Sequence, residues 1–244
     1  MISTSRKRHQ ITVLNKANKK IVIRCAITIC SVAVFILLIS ALLVRAGIGK
    51  DDTGAKNEEE IKLIPKLNFE VGLLDINKYS RPGIALKEVN GVVVHYTANP
   101  GTDAWDNRNY FNNLKNTNKD RKEKRYASAH FIVGLEGNTL QCIPLSEMAY
   151  ASNDRNSDTI AIECCHPKKN GKFTKATYNA LLELLTYLCI RFDLDPGRDI
   201  IRHYDVTGKL CPKYYVKHPD KWEELKKELD ERIKITKKGL KNGT

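Results

Sequence analysis

The sequence predicts an α/β domain with a mixed sheet, held behind a single transmembrane helix. Three observations carry that reading. Short β-branched runs, GVVVHY (91–96) and DTIAIECC (158–165), alternate with segments of helical periodicity such as TKATYNALLELLTYLCIR (174–191). Two further apolar runs, SAHFIVG and NTLQCIP, are joined by LEGN, which signals a hairpin and therefore at least one antiparallel pair. Ahead of all this, Cys25–Val44 runs for 20 residues without a charge.

That uncharged run sets the organisation. At 1.5 Å per residue a 20-residue helix covers about 30 Å, the thickness of a bilayer core. It is apolar on every side, whereas a buried core helix keeps a polar face. Seven basic residues precede it and one follows closely, which places residues 1–24 on the cytoplasmic side and the rest outside. The net charge of +13 is concentrated here. Residues 1–46 hold eight basic residues and no acid, leaving +5 for the remainder. The high isoelectric point thus belongs to membrane topology, and no nucleic acid partner is expected.

Residues 45–66 are polar and charged and read as an extracytoplasmic linker. A compact domain follows over 67–222, long enough to bury a core. Within it GVVVHY is a buried strand. Asp103–Leu114 has helical spacing, with Trp105, Tyr110, Phe111 and Leu114 available for one face. NTNKDRKEKR (116–125) is a charged loop. After the hairpin and the DTIAIECC strand, Thr174 is placed to cap a packed helix. Asp199–His203 is a short strand or strand end. Pro219–Ile235 is a charged helix that runs into the C-terminal segment 223–244, and LKNGT is a frayed tail.

Chemistry-bearing residues gather where strands stop and loops begin, the usual place for ligands. His95 closes GVVVHY, His203 closes DIIRHY, and Cys211 follows in RHYDVTGKLCP. Two imidazoles and a thiolate leave a fourth tetrahedral position open on zinc, as a catalytic site requires. On spacing alone, a buried structural His95 and a disulfide-bonded Cys211 stand as alternatives. Glu163 lies among apolar residues in TIAIECC. Partial desolvation raises a carboxyl toward the range of a general base, unless the side chain points to water. Lys209 precedes Cys211 by two residues, and in an extended segment both would point the same way.

Together HYTANPG (95–101), SAHFIV (128–133), TIAIE (159–163) and RHYDVTGKLCP (202–212) resemble zinc-dependent N-acetylmuramoyl-L-alanine amidases. That group includes T7-type lysozyme and the peptidoglycan recognition proteins. The resemblance covers about residues 67–222. It implies a central mixed β-sheet flanked by helices, with one zinc per chain held by His95, His203 and Cys211. The implied substrate is peptidoglycan, at the amide between N-acetylmuramic acid and L-alanine. It also implies Glu163 as general base on a zinc-activated water and Lys209 as stabiliser of the oxyanion. Tyr96, His130 and Asn153 are candidate substrate contacts. Two positions depart from the pattern. Ala129 stands where the phage enzyme has a catalytic tyrosine, and Asn153 lies where many relatives have histidine. A peptidoglycan-binding module without catalysis is the alternative. With Cys211 on zinc, Cys142, Cys164, Cys165 and Cys189 remain, and no bridge is assigned among them. The implied location is a bacterial cell membrane, with the catalytic domain extracytoplasmic.

Overall fold

The computed structural model describes residues 67–242, so the predicted cytoplasmic arm, membrane helix and linker lie outside the described residues. Among the described residues no helix is long and apolar enough to cross a membrane. Six strands form one sheet in the order β1-β4-β3-β5-β2-β6. They are β1 (Glu70–Val71), β2 (Gly91–Tyr96), β3 (Phe131–Val133), β4 (Thr139–Gln141), β5 (Thr159–Cys164) and β6 (Ile200–Arg202). Only the β3–β4 hairpin is antiparallel; the other pairs are parallel, so the sheet is mixed as expected. The helices are α1 (Ala104–Thr117), α2 (Lys175–Phe192), α3 (His203–Thr207), α4 (Lys213–Lys217) and α5 (Pro219–Asn242).

Strand alternation assigns side chains to two layers. Val92, Val94, Ile160 and Ile162 join a core with α2 and α5. Ala161 and Cys165 join a second core with Ala104 and Phe111 of α1. His95 and Glu163 share the parity of the second layer, and the parallel register sets them side by side on β2 and β5.

Local signals explain where the helices begin. The Asp103 carboxylate accepts from the Asp106 amide at 2.8 Å, and the Asp106 carboxylate accepts from the Asp103 amide at 3.0 Å, a reciprocal cap. The Thr174 hydroxyl accepts from the Thr177 amide at 2.9 Å, as its predicted capping role requires.

Three expectations are corrected. Trp105 and Tyr110 do not join the buried face of α1. The buried residues are Ala104, Asn107, Phe111 and Leu114, whose spacing traces one stripe that Trp105 and Tyr110 fall outside. The last helix does not fray at Leu240 but continues to Asn242. Its Trp222, Leu225, Leu229 and Ile233 recur at three- and four-residue intervals and pack into the first core, which anchors an otherwise charged helix. Finally, His203 does not end a strand: β6 stops at Arg202 and His203 opens α3.

Candidate metal centre

His95 is the next-to-last residue of β2, His203 begins α3 immediately after β6, and Cys211 lies in the loop beyond α3. β2 and β6 are neighbours, which brings these segments together. The potential ligand atoms of His95, His203 and Cys211 all lie within 4.8 Å of one another, and all three residues are buried. Cys211 Sγ is 3.9 Å from His95 Nδ1, and the two imidazole centroids are 4.5 Å apart. Donors on one tetrahedral zinc sit about 3.3–3.8 Å apart, so only a small contraction separates this cluster from a ligand set. Both ring nitrogens of His203 are buried without a hydrogen-bond partner, an arrangement that costs free energy unless something binds there. Two nitrogens and one sulfur are the donor set that zinc favours over oxygen-seeking cations.

The surrounding electrostatics prepare the donors differently. Burial, the neighbouring His203 and Lys209 hold His95 well below the ordinary histidine range. Burial and Lys209 bring His203 down to about 4. Both imidazoles are therefore neutral near pH 7 and free to donate a lone pair. Burial pushes the Cys211 thiol up to about 12, opposed by the Tyr96 backbone N–H and by Lys209. Cation binding must therefore expel the thiol proton, which makes affinity rise with pH.

A loop supports this cluster. Tyr204 N–H donates to the Cys211 carbonyl at 2.8 Å, tying the two ligand segments together. The Arg202 guanidinium donates to the Asp205 carboxylate at 2.7 Å and to the Tyr215 carbonyl at 3.1 Å. It also lies over the Trp222 ring. This clamp joins β6, α3 and α4 around the metal ligands.

Glu163 stands beside His95 across the β2–β5 register. Its Oε2 is buried and has no hydrogen-bond partner. Burial raises the carboxyl to about 8, with Lys209 pulling the other way. That value suits a proton acceptor that must also return a proton. Lys209 is exposed and lies in the turn after Gly208, which ends α3 in a left-handed conformation at φ 74°. The segment is not the extended one that two-residue spacing required. Even so, its charge is felt at His95, His203, Cys211 and Glu163.

The remaining candidates divide. Tyr96 is half-buried and stacks on His166, with centroids 5.0 Å apart. Asn153 is exposed at φ 52° and opens a short 3-10 turn, Asn153–Ser157, next to the cluster. His130 is corrected. It is wholly buried, its Nδ1 accepts from the Ala161 amide at 2.9 Å, and its Nε2 bonds the Glu147 carbonyl at 2.8 Å. With both nitrogens engaged by the backbone it has nothing to offer a substrate. Ala129 is fully buried and Tyr126 is half exposed, so neither replaces the absent tyrosine. The five described cysteines are all free thiols.

One contributor went unnoticed in the sequence. Ser152 is buried, and its Oγ lies 3.2 Å from His95 Nε2. With Nδ1 facing Cys211, Nε2–H donates to Ser152 and fixes the ring. Its position immediately before Asn153 was the available signal, but a lone serine in AYASN carries no periodicity.

Comparison with known proteins agrees with this picture. A family profile described as N-acetylmuramoyl-L-alanine amidase matches residues 85–214. The amidase BlyA of Bacillus subtilis (strain 168) is 35% identical over 178 residues, covering 65% of this chain and 46% of that protein. The amidase CwlL of Bacillus licheniformis is 34% identical over 167 residues, covering 64% and 44%. This chain thus spans about half the length of the curated relatives it matches. A mutant endolysin from Bacillus subtilis superposes with a TM-score of 0.53 at 28% identity, over 67% of this chain and 99% of that one. PlyL shares the fold, with a TM-score of 0.55 at 20% identity over 67% and 97%.

Proposed function

This chain belongs to the N-acetylmuramoyl-L-alanine amidase family, and on that footing we propose that it hydrolyses the amide between N-acetylmuramic acid and L-alanine in peptidoglycan. The observation that carries the proposal is the convergence of His95, His203 and Cys211 beside Glu163, whose Oε2 is buried without a hydrogen-bond partner. His95, His203 and Cys211 would hold zinc, which when bound acidifies a water and polarises the scissile carbonyl. Glu163 takes the proton of the attacking water and returns it to the leaving alanine amine. Lys209 supplies positive charge where the carbonyl oxygen becomes anionic. Ser152 and the Arg202–Asp205 clamp keep the donors oriented, so little reorganisation is needed during reaction.

The same reading includes membrane anchoring through Cys25–Val44, with residues 67–222 as the catalytic domain facing the wall. It is supported by the uncharged 20-residue run and the seven basic residues before it.

The full chain incubated with purified cell wall should release new L-alanine amino termini and bind about one zinc per chain. Cys211→Ser should lose both the metal and the activity. A wild-type chain that binds walls but releases no amino termini would mark it as a binding module. Hydrolysis undiminished in Glu163→Ala would remove the carboxylate from the mechanism.

A further inference from the structure

A groove of about 370 Å³ lies between α2 and α5. α2 gives it Glu183, Thr186 and Tyr187, α5 gives it Arg232 and Ile235, and Leu67 belongs to the same wall. That is far more space than a packing defect leaves. Three polar side chains of the wall are already engaged on their own helices. The Thr186 hydroxyl donates to the Leu182 carbonyl at 2.7 Å, the Tyr187 hydroxyl accepts from Arg191 at 3.3 Å, and Arg232 donates to Glu228 at 3.1 Å. What they leave to an occupant is carbon surface. Ile235 adds to it: the side chain is 72% exposed, on a helix whose Trp222, Leu225, Leu229 and Ile233 are buried. Covering such surface is favourable, so the groove suits an apolar occupant.

The chain enters the domain at this wall. Leu67 and Phe69 are partly buried and pack on the first core, whereas Asn68 and Glu70 are exposed. This is the two-residue alternation of an extended segment with one face inward. The sequence carries the same alternation back through residues 61–66, IKLIPK. Ile61, Leu63 and Pro65 share the parity of Leu67 and Phe69. Lys62 and Lys66 share that of Asn68 and Glu70, with Ile64 the one exception. Pro65 biases the residue before it toward extended backbone, so the pattern reads as an extended run and not a helix. Residues 49–60 contain no Val, Ile, Leu, Met or aromatic residue. From residue 49 on, the large apolar side chains of the linker therefore all fall within six residues of Leu67.

We propose that residues 61–65 continue this extended run and seat Ile61 and Leu63 in the groove between α2 and α5, covering Tyr187 and Ile235. Leu63 stands four residues before Leu67, about 13 Å of extended chain, and the wall covers about 6 Å along each helix, so the segment reaches. Lys62 and Lys66 stay on the outer face. The groove is then filled by the chain's own linker and is not a site for a ligand or a second copy. The docking does not depend on the amidase reading. Its consequence rests on the membrane anchor proposed above: the free tether ends at residue 60 instead of 66, which shortens the reach of the catalytic site by about 20 Å.

The test is limited trypsin digestion of the full chain in detergent, with each cleaved bond followed by mass spectrometry. Trypsin cuts after lysine, here Lys56 and Lys62, and a synthetic peptide of residues 52–70 supplies the intrinsic rate at each. A seated segment opens rarely, and cleavage tracks the open fraction. Relative to the peptide, the chain should be cut at least about tenfold more slowly after Lys62 and at an equal rate after Lys56. Ile235→Gln and Leu63→Ser should each raise the Lys62 rate about tenfold and leave the Lys56 rate alone. Ile235 is exposed and Leu63 precedes the described domain, so both variants keep the fold. The double variant should add little to either single one, because both break one contact. Equal rates after Lys62 in chain and peptide overturn the proposal. So does protection that survives Ile235→Gln, which puts the segment elsewhere, or a double variant that multiplies the two single effects. Protection that fades on dilution overturns it too and gives the groove to a second copy.

Discussion

Replacing Glu163 with glutamine should stabilise the metal-free protein at mildly alkaline pH while abolishing its proton-transfer role. The folded chain holds the Glu163 proton up to about 8, against an ordinary value of 4.5. An unfolded chain releases that proton near the ordinary value. Folding is therefore not penalised below about 4.5, and the penalty grows as pH rises until it levels off above 8. Each pH unit in that window is worth about 1.4 kcal/mol, a ceiling of about 5 kcal/mol. His203 and His130, both lowered to about 4, and His95 and His166, lowered too, act in the opposite direction until the unfolded imidazoles are neutral above their ordinary value of 6.5, and they do so in both proteins. The difference between the two proteins from pH 6.5 to 8 thus isolates the carboxyl, which should cost wild type about 2 kcal/mol relative to the variant. Urea denaturation of metal-free wild type and Glu163→Gln at both pH values, read by Trp105 and Trp222 fluorescence, gives the difference directly. Wild type should lose stability relative to the variant across the interval. Parallel behaviour of the two proteins would show that Glu163 is ionised in the fold and that its burial does not govern its titration.

Removing the Ser152 hydroxyl, as Ser152→Ala, should weaken zinc binding about 10–100-fold with the fold intact, measured by chelator competition. Unchanged affinity would mean that His95 is oriented without it. Arg202→Met should cost about 1–3 kcal/mol of folding stability, because Asp205 and the Tyr215 carbonyl lose a partly buried donor. Lysine at 202 should recover only part of this, since it cannot reproduce the two-pronged contact; full recovery in denaturation curves would refute the geometric role. Lys209→Ala should lower kcat about 10²–10³-fold at unchanged metal content, and a variant within a factor of three of wild type would relieve Lys209 of the oxyanion.

The elements that sequence revealed are those whose signals are local. GVVVHY and TIAIEC announce themselves by β-branched composition, and Thr174 by a side chain that caps the helix next to it. The two-residue β1 has no such signal, because its pairing with β4 is fixed by tertiary contact. Two histidines, one a ligand and one not, show why the site is harder. His95 and His130 both adjoin apolar runs, and nothing in their immediate sequence separates a ligand from a scaffold residue. What separates them is the other partner in space. His95 has β6 and its following loop beside it, which supply His203 and Cys211, whereas His130 meets only the Ala161 amide and the Glu147 carbonyl. His166 differs again, with Nδ1 bonded to the Lys168 carbonyl and Nε2 left over. A histidine's role in this fold therefore follows from how many of its nitrogens the backbone has already taken. With both taken it is a brace, and with neither taken, as at His203, it is a ligand in waiting. His166, with one nitrogen bonded and its ring against Tyr96, stands between the two.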